Sequence, residues 1–77
     1  MSYLAYKVGR CLLMNRLQKC DMTQVELAER LNVSKQQINK YVQNKQRMSI
    51  QVAKNISHIL NCHIEDLYEW IPVGKNE

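Results

Sequence analysis

Residues 10–71 contain neither glycine nor proline, so this long stretch lacks the two residues that most readily interrupt a helix. Apolar residues recur in it at helical spacing, and no alternating pattern joined by tight hairpin turns is evident. Helix ends are marked instead by Asn32, Asn44 and Asn61, because asparagine tolerates the left-handed backbone that a sharp bend requires. The chain is therefore predicted to form short helices joined by sharp bends.

Hydroxyl side chains mark three helix starts. Thr23 with Glu26 has the spacing of a capping box, and so has Ser34 with Gln37, while Ser49 is a third candidate cap. These signals predict five helices, over about 6–19, 23–31, 34–43, 50–60 and 64–69. The expected fold is all-α, a compact five-helix bundle in one domain (residues 1–77), with a core over about 6–68 and a short tail over 69–77.

The predicted inward residues are apolar positions at helical spacing. They are Val8, Leu12 or Leu13, Leu17, Ile38, Tyr41, Val42, Ile50, Ala53, Ile56, Leu60, Leu67 and Tyr68. Ala28 is small, which favours a close crossing between the second and third helices.

Charge is unevenly distributed along the chain. The net charge is +4, yet residues 30–64 carry six lysines and arginines and no acidic residue. The last 13 residues sum to −3. A basic middle favours a polyanion bound at one surface, although a solvated basic face is the alternative.

The cysteines are odd in number and form no Cys-x-x-Cys pair, which indicates free thiols in a reducing compartment. They are Cys11, Cys20 and Cys62. His58 and His63 lie close to Cys62 in sequence, but no fourth ligand is evident. We therefore expect neither a metal nor a cofactor.

No apolar run is long enough for a membrane span, and Lys7 and Arg10 interrupt any signal-peptide pattern. A cytoplasmic protein is expected. The chain shows no nucleophile, base and acid in a recognisable arrangement, no glycine-rich phosphate loop and no suitably placed carboxylate pair, so we predict that it is not an enzyme.

The outward face of the third helix is polar and free of acidic residues. Its members follow the spacing i, i+1, i+4, i+5, i+8, which makes one continuous face: Lys35, Gln36, Asn39, Lys40 and Gln43. Glutamine and asparagine can bond adenine through two atoms, and lysine can reach guanine. Because two short helices separated by about three residues form a helix-turn-helix pattern over 23–43, this face is predicted to read the major groove of DNA.

The segment from Met22 to Ser34 (MTQVELAERLNVS) resembles the Cro and phage-repressor type of helix-turn-helix, the XRE family. The likeness continues through Lys45 and resumes over 49–56 and 60–67, so that it covers roughly residues 10–68. It implies the lambda-repressor-like fold with a recognition helix at 34–43. Asparagine at the three bends, where members often have glycine, departs from the family pattern but keeps the bends possible.

The resemblance also implies residue roles. Base contacts are expected from Ser34, Lys35, Gln36, Asn39 and Lys40. Gln24 is expected to bond a DNA phosphate and to brace the recognition helix. Further contacts to the DNA backbone are expected from Gln37, Gln43, Asn44, Lys45 and Arg47, of which the last three match the loop that usually touches the backbone in the family. The capping role of Gln37 competes with any base contact.

Members of the family usually bind as homodimers to two half-sites about one helical turn apart. The function expected is therefore sequence-specific binding of double-stranded DNA by a transcription regulator of prokaryotic or phage origin, a repressor of the phage, mobile-element or controller type. Two alternatives remain open at this stage: an antitoxin that binds both DNA and a toxin, and a protein-interaction adaptor that does not bind DNA.

The two ends of the chain also leave a choice. Tyr3, Leu4 and Tyr6 at one end, and the segment Glu69–Val73 at the other, are rich in aromatic and apolar residues. They either cover the far side of the small core or form a dimer contact, where tryptophan and tyrosine are favoured.

Overall fold

A computed structural model describes residues 4–74, which form four α-helices, one 3₁₀ turn and a two-stranded sheet. In chain order these elements are β1 (Leu4–Cys11), α1 (Leu13–Lys19), α2 (Gln24–Leu31), α3 (Lys35–Val42), α4 (Ile50–Ile59), the 3₁₀ turn (Ile64–Leu67) and β2 (Tyr68–Gly74). The structure is thus mostly helical, but it is not the five-helix all-α bundle that the sequence predicted.

The prediction of a helix over about 6–19 is wrong in its first half, where the chain forms β1. This strand pairs antiparallel with β2, most of which lies in the tail for which no regular structure was predicted. The pairing passes very close to Gly9, because a Cβ atom there would lie 2.9 Å from Glu69 Cβ and 3.2 Å from the Glu69 carbonyl oxygen. Only glycine leaves room for this approach, which explains the residue that a helix would have disfavoured.

The register of the sheet joins residues far apart in sequence. Leu4 pairs with Gly74, Tyr6 with Pro72 and Cys11 with Tyr68, with an irregularity between Val8 and Cys11. We call this two-stranded sheet the ribbon. It takes the place of the start of the predicted first helix and of the end of the predicted fifth, which is only a 3₁₀ turn ending at Leu67.

All four α-helices are followed by a residue with left-handed backbone. The predicted bends at Asn32, Asn44 and Asn61 are confirmed, with φ of 59°, 61° and 54°, and Asp21 adds a fourth at 53° that was not predicted from the sequence. In each bend, the next residue's N–H donates to a carbonyl five positions back, as in Val33 to Ala28 (3.0 Å). These bonds satisfy carbonyls that a helix end would otherwise leave unpaired.

All three predicted caps accept a backbone N–H through their hydroxyls, and Thr23 forms the full predicted box. The Thr23 hydroxyl accepts from the Glu26 N–H (3.1 Å), and the Glu26 carboxylate accepts from the Thr23 N–H (3.0 Å). These bonds to Thr23 lower the pKa of Glu26 below its ordinary value. Ser34 and Ser49 act as caps too, but the predicted second box is wrong in its other half, because the Gln37 side chain does not reach back to Ser34.

The core lies between the four helices and the base of the ribbon. Its largest fully buried side chains are Leu13, Leu17, Leu27, Ile38, Ile56 and Leu67. Ala28 and Tyr41 are buried as predicted, and so is Tyr68. Ile50 is 80% exposed, so its predicted inward position is wrong: it is the first residue of α4 and lies directly after the cap.

No helix within residues 4–74 has the length and apolar character needed to cross a bilayer. In the same part of the chain, no three histidine, cysteine or acidic side chains come together in a cluster that could hold a metal ion. The three cysteines are free thiols, with Cys11 buried, Cys62 half-buried and Cys20 exposed.

Candidate nucleic-acid interface

The outward side chains of α3 form one concave surface with the start of the loop that follows. It is lined by Lys35, Gln36, Asn39, Lys40, Gln43 and Lys45, and we call it the basic surface. The five residues that the sequence placed on one face therefore do lie together. All six are exposed except Asn39, which is half-buried.

Among the described residues, the lysines of the basic surface have no carboxylate partners. The ion pairs formed by residues 4–74 are Arg10 with Glu69 and Arg16 with Asp66, each at 3.5 Å. Neither uses a cation of the basic surface. Its positive charge is therefore directed to solvent, where it can attract a polyanion.

An amide–amide hydrogen bond connects α3 to the start of α2. Asn39 Nδ2 donates to Gln24 Oε1 at 3.2 Å, and the bond is partly buried. Each amide retains unused capacity, since Asn39 keeps its oxygen and one N–H while Gln24 keeps its amino group. The pair can thus fix the orientation of α3 and still offer donors to a ligand, which agrees in geometry with the bracing role implied for Gln24.

The N-terminal end of α3 is also held by side chains. Ser34 accepts from the Gln37 N–H (3.1 Å), and Gln37 Nε2 donates to Gln46 Oε1 at 3.2 Å. No role was predicted for Gln46 from the sequence. An exposed glutamine in a loop carries no recognisable signal of such a contact.

The loop after α3 (residues 43–49) presents the remaining predicted residues. Lys45 and Arg47 are exposed. Asn44 has an intramolecular partner, because its Oδ1 accepts from the Cys11 N–H at 2.8 Å. The Asn44 amino group is left for an external acceptor.

Residues 13–67 match the sequence model of a protein family described as helix-turn-helix. The chain belongs to the XRE-type helix-turn-helix family of DNA-binding transcription regulators. The matched segment contains α1 to α4 and the 3₁₀ turn, whereas both strands of the ribbon lie outside it.

Two similar proteins agree with this assignment. The chain is 42% identical over 65 residues to a Bacillus subtilis (strain 168) protein, YopS, described as an SPbeta prophage-derived uncharacterized HTH-type transcriptional regulator; the match covers 83% of this chain and 88% of that protein. Among solved structures, the transcriptional regulator VanUg superimposes with a TM-score of 0.66 and 31% identity, over 88% of this chain and 89% of that one. Both matches extend over most of each chain, which indicates similar overall architecture.

Proposed function

We propose that this family member binds double-stranded DNA in a sequence-specific manner, with α3 in the major groove. The observation that carries the proposal is the basic surface, which is polar and free of carboxylates on the second helix of a helix-turn-helix. In this arrangement the base edges are read by Ser34, Lys35, Gln36, Asn39 and Lys40. A solvated helix or a protein-interaction adaptor would more often present mixed charge or an apolar stripe on this face.

The DNA backbone is proposed to contact a second group of residues. They are Gln24, Gln37, Gln43, Asn44, Lys45 and Arg47. Such contacts supply most of the affinity and make it dependent on salt, because each neutralised phosphate releases counterions. This part of the interface positions the protein and carries no sequence information.

We further propose that two copies bind two half-sites and meet through the ribbon. Its register places Tyr6 and Trp70 on one face, since Tyr6 pairs with Pro72 and Val8 pairs with Trp70. Tyr6 is 63% exposed and Trp70 is 42% exposed, while Trp70 Nε1 donates to the Glu65 carbonyl at 2.8 Å. Tyr6 and Trp70, one from each of the two segments considered for a dimer contact, therefore lie on one face, whereas Tyr3 lies outside the described residues.

The proposed biological role is that of a small repressor of bacterial or phage origin, acting in the cytoplasm. It is supported by the likeness to the prophage-derived regulator of Bacillus subtilis. The activity is binding alone, without catalysis, metal or cofactor. An antitoxin would share the same DNA contacts and would differ by a protein partner.

The test is a selection of bound duplexes from a random library at physiological salt. We expect an enriched inverted repeat with half-sites about one helical turn apart. Enrichment of a single half-site would keep the DNA assignment and remove the dimer. If the folded protein enriches nothing, the proposed reading of bases by α3 is wrong.

A further inference from the structure

The loop over residues 43–49 is tied to the ribbon at both ends. At one end, the N–H of Cys11, the last residue of β1, donates to Asn44 Oδ1 at 2.8 Å. At the other end, the hydroxyl of Tyr68, the first residue of β2, accepts from the Met48 N–H at 3.0 Å. Cys11 and Tyr68 are cross-strand partners, so one pair of neighbouring residues holds both ends of the loop.

The two anchoring residues, Cys11 and Tyr68, belong to the core, whereas the loop residues between Asn44 and Met48 face solvent. Cys11 is 7% exposed and Tyr68 is 9% exposed, and both hydrogen bonds are partly buried. Lys45 and Arg47 are exposed. A hydrogen bond shielded from water is electrostatically stronger than an exposed one, which makes these anchors effective restraints.

The surroundings of the Tyr68 hydroxyl support this geometry. Burial raises the pKa of Tyr68, while the hydrogen bond from the Met48 N–H and the charge of Arg47 act in the opposite direction. The hydroxyl remains protonated at neutral pH and stays available as an acceptor.

We infer that the base of the ribbon is a clamp that positions Lys45 and Arg47 for contact with the DNA backbone, with Tyr68 and Asn44 as its positioning residues. The inference rests on the proposed function. A loop that is already ordered loses less entropy when its side chains bind, so the clamp raises affinity without touching a base. Cys11 and Tyr68 lie just outside the segment that the family model matches, residues 13–67, whereas Asn44 and the loop lie within it.

The first test is Tyr68→Phe, which removes the hydroxyl and keeps the buried ring. We expect roughly three- to tenfold weaker binding to cognate and scrambled duplexes alike, since one hydrogen bond of ordinary strength corresponds to a factor of this size. The ratio of the two affinities should not change. A change in that ratio, or no loss of affinity, would overturn the inference.

The second test uses a matched pair of substitutions at left-handed caps. Asn44→Gly keeps the bend after α3 and removes the acceptor for the Cys11 N–H. Asn61→Gly makes the same change in the bend after α4. The inference predicts faster hydrogen exchange at the Cys11 amide for the first variant only. DNA binding is not the readout for this pair, because Asn44 is itself proposed to contact the DNA backbone. Equal effects from both variants would contradict it.

A double-mutant cycle separates positioning from general loss of stability. In a protein that already carries Lys45→Ala and Arg47→Ala, Tyr68→Phe should weaken binding by less than about twofold, because the residues it positions are gone. A full and additive penalty in that background would refute the clamp.

Failure of the clamp can be told apart from failure of the proposed function. If the wild-type protein binds no duplex, the function itself is wrong and the inference falls with it. If the wild-type protein binds, and the Met48 amide exchanges as fast as an unprotected amide, the function stands and the clamp is rejected.

Discussion

At the scale of single residues, asparagine can replace glycine at a helix end, where it adds backbone strain but supplies a side chain that can form hydrogen bonds. Asn32, Asn44 and Asn61 all have φ near +60°, a backbone region that most side chains enter only with strain. Asparagine enters it more easily than other residues because its short side chain can bond locally. At Asn44 the side chain is also used, since it accepts the Cys11 N–H, which glycine could not do.

The strain of the left-handed conformation predicts the effect of changing Asn32. Asn32→Ala should lower the free energy of unfolding by about 1 kcal/mol, because alanine is strained in this conformation. Asn32→Gly should be neutral or slightly stabilising. Urea unfolding measures both variants. Asn55→Ala, within the right-handed helix α4, is the matched control and should not destabilise the protein.

Two residues of the basic surface allow the proposed base reading and the proposed backbone contact to be tested separately. Gln36→Ala should cost about 1–3 kcal/mol and relax one base position, whereas Lys45→Ala should weaken binding to all duplexes alike. The slope of log K against log salt should become shallower by about 0.9 for each bound copy, because Lys45→Ala removes one phosphate contact from each. Anisotropy titrations on cognate and scrambled duplexes at several salt concentrations distinguish the two effects. A uniform loss from Gln36→Ala would reject its base contact.

At the scale of elements, the helices were predictable and the ribbon was not. The caps at Thr23, Ser34 and Ser49 and the bend at Asn32 are local signals, and each acts within about one helical turn of its own position. They sufficed to predict α2, α3 and α4 to within one or two residues.

The ribbon was missed because its two strands are not joined by a turn. Two signals of a strand were present in the sequence. The large apolar residues Leu4, Tyr6 and Val8 occupy every second position, as in a strand, and Gly9 argues against a helix. However, strand pairing between residues 57 to 70 positions apart leaves no hairpin turn to recognise. The polar face of α3 could likewise be predicted from spacing alone, whereas the bonds of Gln46 and Tyr68 depend on contacts that only the fold creates.

The close approach at Gly9 gives the ribbon a specific weak point. Gly9→Ala places a Cβ 3.2 Å from the Glu69 carbonyl oxygen and 2.9 Å from Glu69 Cβ, so the strands must separate locally. We expect a loss of about 1–3 kcal/mol in the free energy of unfolding, the usual cost of overpacking. Thermal unfolding followed by circular dichroism would measure it. Lys7→Ala, an exposed change in the same strand, should have little effect, and an unchanged melting temperature for Gly9→Ala would contradict the pairing of β1 with β2.

At the scale of the whole molecule, the outer part of the ribbon is poorly covered. Tyr6, Ile71 and Val73 are all more than a third exposed, whereas Tyr68 at the base is buried. The base therefore covers the core, and the outer part is where we propose that two copies meet. An isolated two-stranded ribbon is only marginally stable, so a second copy would stabilise it.

The dimer proposal predicts a mass that depends on concentration. Sedimentation equilibrium over the micromolar range should show dimer for the wild type and a shift to monomer for Tyr6→Lys, because a charge is placed in the apolar contact. Lys40→Ala, on the basic surface, should leave the mass unchanged. A wild-type protein that remains monomeric throughout, and also when bound to DNA, would refute the role of the ribbon in association.

The long-range pairing of the ribbon also sets an order of events in folding. Contacts within the helices join near neighbours and can form early, whereas strand pairing must first close the chain over most of its described length. Strand β2 is the last described element to leave the ribosome, and with it comes Tyr68. If Tyr68 fixes the loop over 43–49 as we propose, a nascent chain acquires that fixed loop only after β2 has been made, and full DNA affinity is expected only then.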